Sequence, residues 1–252
     1  MKNILFLLEY DFKNFMRYKW WIAMLISMNL ADLFVMALVV TRMVSFDYFR
    51  FFSPGVTVTA LFASAFMIGR EINWEVRRSF AHYLLSLPIK RWELVAGRTL
   101  AGGLRGILYS FPLLLTTFAL LGFPAPHEFL LIVGALFLLA TGTAGLSIAI
   151  AASTRSFEKF VTARGVLYYM LFFCSTVFYP LDSILSVLPQ PLALFAQLNP
   201  LSAGADLIRA LLFAYPTSTL PSLFELLRNL LAFSAVFTFG GSFAYIKILE
   251  AK

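Results

Sequence analysis

The side chains that could take part in chemistry are concentrated in one charged segment, residues 70–98, which interrupts a largely apolar chain and ends in LPIKRWELVAGR. The two histidines, His82 and His127, lie too far apart in sequence to predict a metal site, and Cys174 is the only cysteine. Neither a G-x-x-x-x-G-K-[ST] phosphate-binding loop nor a G-x-S-x-G nucleophile turn occurs. We therefore expect this chain not to be an enzyme and to hold no metal or cofactor.

The composition is far more apolar than that of a soluble domain. Hydrophobic residues make up 60% and charged residues 13% of the 252 residues, whereas soluble domains carry about 25% charged residues. The net charge of +7 could indicate nucleic-acid binding, but the basic residues are spread between apolar runs, where lipid headgroups would lie. We therefore expect a protein in contact with a lipid bilayer, and we exclude nucleic acid as a partner.

Apolar runs of bilayer length predict an all-α polytopic membrane protein with six transmembrane helices, formed by a single domain over residues 1–252. The runs cover residues 21–41, 54–69, 99–122, 129–152, 160–180 and 227–248. The second run is short, and its helix can begin earlier, through residues 49–52, with a break or kink at Pro54.

Positive charge is distributed unevenly between the two ends of these spans. Arg42, Arg50 and Arg209 would lie on one side, whereas most of the other lysines and arginines would lie on the opposite side. By the positive-inside rule, both termini are expected in the cytoplasm, with the spans in the cell membrane. An even number of spans follows, in agreement with six.

Residues 1–20 are expected to form an amphipathic helix that lies in the membrane interface. Leu5, Leu8, Phe12 and Phe15 recur at helical spacing, with charged residues between them. The run ILFLL is too short for a signal peptide, so we expect this segment to be retained. A disordered basic tail is the alternative.

Two connecting segments have unusual patterns. In the cytoplasmic loop 70–98, residues 80, 83, 84 and 87 are apolar at i, i+3, i+4 and i+7, which predicts a short helix that ends at Pro88. Such a helix could rest on lipid or fill a groove on a soluble partner, and spacing alone does not separate these. Prolines divide the extracytoplasmic segment 181–225 into pieces too short to cross a bilayer, which predicts a re-entrant, broken helical hairpin.

Two ionisable residues fall within the predicted spans. Asp32 lies near the middle of the first span, where a carboxylate costs several kcal/mol unless it is protonated or paired. It therefore marks either a functional site or a buried structural pair. Arg105 lies about two turns into the third span and is expected to reach the cytoplasmic headgroups. Small residues at interface-like spacing predict close helix contacts, within one chain or between two, at Gly102, Gly106, Gly142, Gly145 and Ser147.

Two motifs carry a resemblance to a known family. In the charged segment, the pattern of a glutamate, L-x-x-L-P, a basic residue, a glutamate and G-K/R is met by Glu71, Leu84, Leu87, Pro88, Arg91, Glu93, Gly97 and Arg98. Before the last span, F-x-P, L-P and N-P-L with a later arginine are met by Phe178, Pro180, Pro189, Asn199, Pro200, Leu201 and Arg209. On these motifs the chain resembles the membrane (permease) subunits of type 2, exporter-like ABC transporters. Ala203 departs from the pattern, as do Ser79 and Phe80 after the basic pair.

The resemblance implies an exporter permease that pairs with a separate cytoplasmic ABC ATPase, which would bind ATP and Mg. It also implies a second permease copy, as a homodimer or with a close paralogue. The helix of the first cytoplasmic loop would dock on the ATPase, and a second, shorter contact would follow the fourth span. The residues implied for ATPase coupling are Glu71, Trp74, Glu75, Arg77, Tyr83, Leu84, Leu87, Pro88, Arg91, Glu93, Arg155 and Glu158.

Two other functions remain open. An ion-coupled secondary carrier would need polar groups at the midplane, for which Asp32 is thin support, and often an inverted repeat, which is not evident. A non-transporting scaffold or assembly protein would use the same cytoplasmic loop without coupling to ATP. The scarcity of charge in the spans is compatible with lipids, hydrophobic drugs or peptides as cargo and argues against a highly charged one.

Overall fold

A computed structural model of the chain describes residues 2–78, 83–84, 86–154, 156–212 and 221–250. All regular structure in this part of the chain is helical, which confirms the predicted fold class at that level. The helices are α1 (Lys2–Arg17), α2 (Lys19–Thr41), α3 (Tyr48–Phe66), α4 (Ile68–Arg77), α5 (Arg91–Leu121), α6 (Pro126–Ser153), α7 (Phe157–Phe173), α8 (Leu181–Val187), α9 (Gln190–Leu198), α10 (Pro200–Leu212) and α11 (Leu223–Glu250).

Five stretches of the described residues are long and apolar enough to cross a membrane. They are Ile22–Thr41, Tyr48–Arg77, Arg91–Leu121, Pro126–Ser153 and Leu223–Glu250. The remaining predicted span corresponds to α7, which has 17 residues and ends at Phe173 instead of reaching Pro180. Spanning helices need about 17–25 residues, so α7 lies at the short end of that range. Five spans are therefore supported by length and composition, and the sixth stays a prediction.

The second span begins earlier than its apolar run alone suggests. α3 starts at Tyr48, where the side chain of Asp47 accepts a hydrogen bond from the backbone amide of Arg50 at 3.2 Å. Pro54 lies inside the helix and has no N–H to donate to the Arg50 carbonyl. The hydroxyl of Ser53 donates to that carbonyl instead, at 3.3 Å, so the helix continues through the proline.

The charged segment is not a single loop. After Met67, α4 carries the second span onward to Arg77, and residues 91–98 form the first turns of α5. The connection is thereby reduced to residues 78–90. Within the predicted apolar stripe, residues 83 and 84 are helical, whereas Phe80 lies outside the described residues.

α6 packs against α3, α4, α5 and α11. The backbones of Gly145 in α6 and Gly241 in α11 approach so closely that a Cβ atom on Gly241 would lie 2.2 Å from the Gly145 carbonyl oxygen. The Ser147 hydroxyl donates a hydrogen bond to a backbone carbonyl of α3 at 2.5 Å. A Cβ atom on Gly102 would lie 2.8 Å from the Cβ of Ala144. The small residues predicted at close contacts therefore make those contacts within this chain.

The apolar segment before the last span is divided into short helices, as its prolines predict. α8 begins after Pro180, α9 begins after Pro189, and α10 begins at Pro200. With 7, 9 and 13 residues, none of the three can cross a bilayer. Their re-entrant placement in the membrane stays a prediction, and Pro216 lies outside the described residues.

Replacing Gly241 with alanine is expected to lower stability by about 1–3 kcal/mol, because the new methyl group would overlap the α6 backbone. Gly240→Ala is the matched control, since a Cβ atom there would meet no atom within 4 Å. Alanine favours a helix over glycine by about 1 kcal/mol, so this control should keep or raise stability. The thermal unfolding midpoint of the purified chain in detergent measures both. Equal midpoints for the two variants would contradict the close approach of α6 and α11.

Candidate functional site

α1 packs against α5 through a face that sequence periodicity did not single out. Asn3, Leu7 and Asp11 follow one another at i, i+4 and i+8, and Leu7 and Asp11 are each only 1% exposed. Gly97 of α5 leaves room for this contact, because a Cβ atom on Gly97 would lie 2.9 Å from Cδ1 of Leu7. Of the predicted apolar stripe, Phe15 continues this packed face, whereas Leu5 is 64% and Phe12 41% exposed and free to contact lipid. The interfacial position of α1 itself stays a prediction.

Beside this face, five ionisable side chains from three helices meet in what we call the charge cluster: Asp11 of α1, Glu71 and Glu75 of α4, and Arg98 and Arg105 of α5. Arg98 is 1% exposed and donates hydrogen bonds to two carboxylates at once. Its Nη1 donates to Asp11 Oδ1 at 2.5 Å, and its Nη2 donates to Glu75 Oε1. One guanidinium group thus joins α1, α4 and α5.

Arg105 makes a second set of contacts about 10 Å further along α5. Its Nη2 lies 3.2 Å from Asp11 Oδ1, and its Nη1 donates to Glu71. The ring of Phe15 in α1 lies 5.6 Å from the Arg105 guanidinium carbon. The expectation that Arg105 reaches the headgroups is wrong, because its guanidinium is buried between two carboxylates and an aromatic ring.

Burial and charge pairing have opposite effects on the pKa of the acids in the charge cluster and on the free energy of burying its charges. Burial raises the pKa of the Asp11 carboxyl, whereas the positive charges of Arg98 and Arg105 lower it. Removing charges from water costs several kcal/mol per ion, and close pairing returns much of that cost. The cluster therefore fixes the relative position of its helices, because separating them would leave charges buried and unpaired. In the described part of the chain, no three His, Cys, Asp or Glu side chains are grouped to hold a metal ion.

A third buried arginine, Arg209, lies in the motif before the last span. The guanidinium of Arg209 donates to the backbone carbonyls of Phe51 at 3.0 Å, Thr176 at 2.9 Å and Val177 at 3.2 Å. It also pairs with Asp206 at 2.6 Å and lies 3.7 Å over the Phe51 ring. Carbonyls in the irregular stretch after α7 thereby receive hydrogen bonds without water.

Asn199 of the same motif supports this break from the other side. Its amide group donates to the carbonyls of Leu171 at 2.7 Å and Cys174 at 2.6 Å, near the end of α7. Its side-chain oxygen accepts from the backbone amide of Leu201 at 2.9 Å, at the start of α10. The ring of Phe178 packs at 4.9 Å from that of Phe172. The motif residues therefore hold together the end of α7 and the start of α10.

Residues 2–213, which contain the charge cluster and the motif before the last span, match the family model described as ABC-2 type transporter. The chain belongs to the ABC-2 type transporter family. It is a multi-pass membrane permease subunit of the ABC transporter class, as the sequence motifs predicted. A daunorubicin resistance ABC transporter permease protein from Streptomyces coeruleorubidus is 28% identical over 173 residues. The alignment covers 66% of this chain and 58% of that relative, which is less than two thirds of the relative's length.

In this ABC-2 permease, the residues implied for ATPase coupling divide between the interior and the surface. Glu75, Leu84 and Glu93 are buried, and Glu71 is half-buried against Arg105, so these side chains act on neighbouring helices. Glu93, for example, accepts hydrogen bonds from Asn3 at 2.8 Å and from the Lys90 amide at 3.0 Å. The exposed members are Trp74, Arg77, Tyr83, Leu87, Pro88, Arg91 and Glu158, whereas Arg155 lies outside the described residues.

Asp32 lies on an exposed face of α2 and forms no buried pair with the residues that the structure describes. The ion pairs of the described residues do not include it. Asn29, one turn earlier, instead faces α5 and donates to the Tyr109 hydroxyl at 2.9 Å. α2 is the least covered of the five apolar stretches, with 11% of its span buried against 83% for Tyr48–Arg77.

Sequence reasoning missed Asp11 and the pairing of the two charged helix faces. The spacing of the charged residues could have indicated this pairing. Glu71 and Glu75, at i and i+4, share one face of α4, and Arg98 and Arg105, at i and i+7, share one face of α5. Asp11 gave no such signal, since a single acid in a charged helix is ordinarily solvated.

Arg98→Ala is expected to destabilise the permease by about 3–5 kcal/mol, because it leaves Asp11 and Glu75 buried without their shared cation. Arg91→Ala is the control, since Arg91 makes an exposed pair with Glu250 at 3.4 Å and should cost less than about 1 kcal/mol. Thermal unfolding in detergent measures the difference, and limited proteolysis reports whether α1 has been released. Equal effects of the two substitutions would argue against the cluster as the contact that holds α1.

Proposed function

We propose that this permease subunit forms an export pathway with a second copy or a close paralogue, driven by a separate cytoplasmic ABC ATPase that binds ATP and Mg. The observation that carries the proposal is the family match over residues 2–213. The given sequence contains no phosphate-binding loop, which fits a division of labour in which a separate subunit binds ATP. Both termini lie in the cytoplasm in this proposal, and the spans lie in the cell membrane.

The contact with the ATPase is proposed at the exposed side of the connection between α4 and α5. Tyr83, Leu87 and Trp92 are exposed there, and exposed apolar groups among charges are typical of a docking surface. The guanidinium of Arg77 lies 5.9 Å from the ring of Phe157 at the start of α7. A movement of the connection would therefore reach Glu158 and the second proposed contact.

The charge cluster could transmit a movement of this surface to the membrane-spanning helices. Arg98 and Arg105 of α5 are bound to carboxylates of α4 and α1, so a push on the connection would move these helices together. Moving one helix alone would separate buried opposite charges, which is strongly unfavourable. Glu71 and Glu75 thus take part in coupling through Arg105 and Arg98 in this proposal, without touching the ATPase.

We place Asp32 on the side of α2 that faces the pathway. A carboxylate that faces hydrocarbon is unfavourable by several kcal/mol. We therefore expect this side of α2 to contact water, cargo or a second permease. A carboxylate in an apolar pathway favours amphiphilic cations over neutral molecules and anions. The relative from S. coeruleorubidus is named for daunorubicin resistance, which supports a hydrophobic drug as the cargo class.

An ion-coupled secondary carrier is the second candidate, and the exposed Asp32 is the observation that favours it. In such a carrier, Asp32 would bind the coupling ion, and transport would follow an ion gradient in the absence of ATP. A non-transporting scaffold would keep the docking surface but would move no cargo.

Coupling is tested with the tagged permease purified together with its ATPase. Tyr83→Ala combined with Leu87→Ala is expected to weaken ATPase association at least about tenfold, because each apolar side chain buried at a contact contributes roughly 1.5–3 kcal/mol. The amount of copurified ATPase and its ATP hydrolysis are the measurements. Leu84 is unsuitable for this test, because its buried side chain would report on folding.

Phe123→Ala serves as the control, since Phe123 is exposed in the connection between α5 and α6. This connection lies at the end of α5 that is far from the proposed docking surface. It should leave association and hydrolysis unchanged. If no ATPase copurifies with the wild-type permease, or if the Tyr83 and Leu87 double variant behaves like Phe123→Ala, the proposed coupling surface is wrong.

Cargo recognition is tested in vesicles loaded with ATP and the purified complex. Asp32→Asn is expected to raise KM for a hydrophobic cation such as tetraphenylphosphonium about tenfold, the effect of losing roughly 1.4 kcal/mol of charge interaction, and to leave a neutral dye unaffected. Asp32→Glu keeps the charge and should retain most cation transport. Equal KM values for Asp32→Asn and wild type would contradict the cargo contact. Loss of all transport, with gradient-driven uptake by wild type in the absence of ATP, would favour the carrier.

A further inference from the structure

Arg70 of α4 and Arg164 of α7 form an unusual pair of guanidinium groups, which we call the arginine pair. Arg164 lies with its guanidinium carbon 5.2 Å from the ring of Phe66 and its Nη2 3.5 Å from the sulfur of Met67. Arg70 lies one helical turn after Met67, and its backbone amide is 3.0 Å from the Met67 carbonyl oxygen, so Arg70 lies on the side of the helix that Arg164 contacts. Two like charges therefore lie near each other, where Arg164 of α7 contacts Phe66 and Met67 at the junction of α3 and α4.

The two arginines lie at the same depth along their helices. Near the ends of the helices, Arg77 of α4 lies 5.9 Å from the ring of Phe157 in α7. Arg70 and Arg164 each lie seven residues from that contact, which is about 10 Å of helix. The chain runs in opposite directions in α4 and α7. The seven residues from Arg77 back to Arg70 and the seven from Phe157 on to Arg164 therefore both lead away from the cytoplasmic end, and the two arginines lie at one level.

No carboxylate balances the arginine pair among the described residues, which include every aspartate and glutamate of the chain. The nearest acid along the chain, Glu71, is bound to Arg105. Nε of Arg164 is buried and has no hydrogen-bond partner among the described residues. Repelling charges and an unused buried donor are unfavourable, so the arrangement calls for an anion that is not part of this chain.

The surroundings of the arginine pair are those of a lipid contact. Val161, Val166 and Tyr169 leave the outer surface of α7 apolar and exposed. A level about 10 Å from the cytoplasmic end of α4 lies within reach of phosphate groups for a long arginine side chain. Arginine binds phosphate through paired N–H donors, and its charge would be balanced by a phosphodiester.

We infer that the arginine pair binds the phosphate of an anionic phospholipid, whose acyl chains cover the exposed surface of α7. The leaflet follows from the predicted orientation and is the cytoplasmic one. Such a lipid would fill the space beside α4 and α7 and join two helices that share few direct polar contacts. The inference concerns lipid binding alone and does not depend on ATP coupling or cargo.

The experiment compares the purified full-length permease in nanodiscs of phosphatidylcholine with nanodiscs that also contain phosphatidylglycerol. The wild type is expected to unfold at a higher temperature with phosphatidylglycerol and to retain it in native mass spectrometry. Arg164→Gln and Arg70→Gln should each weaken phosphatidylglycerol binding about tenfold, the effect of losing one charge-assisted hydrogen bond of roughly 1.5 kcal/mol or more.

Two controls separate this site from general charge attraction. Arg42→Gln removes one positive charge from the exposed end of α2 and should leave phosphatidylglycerol binding unchanged. Arg164→Lys keeps the charge but loses the paired donors, so it should retain part of the binding. If Arg164→Gln does not fold, the exposed Arg70 still provides the test.

Three outcomes would overturn the inference. The first is equal stability and retention of the wild type with the two lipid compositions. The second is equal loss of phosphatidylglycerol binding in Arg42→Gln and the arginine-pair variants. The third is full protection by inorganic phosphate in phosphatidylcholine nanodiscs, which would assign the pair to a soluble anion.

Discussion

The buried guanidinium of Arg98 is the contact on which the packing of α1 against α4 and α5 depends. It is bound at once by Asp11 of α1 and Glu75 of α4, so three helices share one charge. A buried cation is tolerated only with its partners in place, and Arg98 in turn stabilises the buried carboxylates of Glu75 and, together with Arg105, of Asp11. The charge cluster therefore makes the position of α1 dependent on α4 and α5, and it turns an ordinary amphipathic helix into a fixed part of the fold.

The break in the chain after α7 is also stabilised by polar side chains, which here bind backbone carbonyls. Where α7 stops at Phe173, the chain leaves backbone carbonyls without helical partners, and Thr176 and Val177 in this stretch are buried inside the protein. Arg209 and Asn199 donate to these carbonyls from α10 and the residue before it. The same need to satisfy polar groups away from water thus explains both the buried cluster and the residues of the motif before the last span.

The limits of sequence reasoning follow from the same physics. Apolar runs of bilayer length located five of the spanning stretches, because burial in lipid requires a continuous apolar helix. The apolar runs did not predict α4 as part of the span, because its glutamates suggested a loop, whereas the structure pairs them with Arg98 and Arg105 of α5. Arg105 was assigned to the headgroups for the same reason, as hydropathy treats a paired and an unpaired arginine alike.

By itself, the sequence determined the helical class, the apolar stretches, the breaks at Pro180, Pro189 and Pro200, and the family, because helix length, proline chemistry and motif order are local properties of the chain. Only the tertiary structure decided which charges are paired. It set Asp11 against Arg98 and Arg105, left Asp32 exposed, and brought Arg164 against Phe66 and Met67, one turn from Arg70. The physical reason is that the energy of a charge depends on what surrounds it in space, and residues 87 to 94 positions apart become neighbours only when the helices pack.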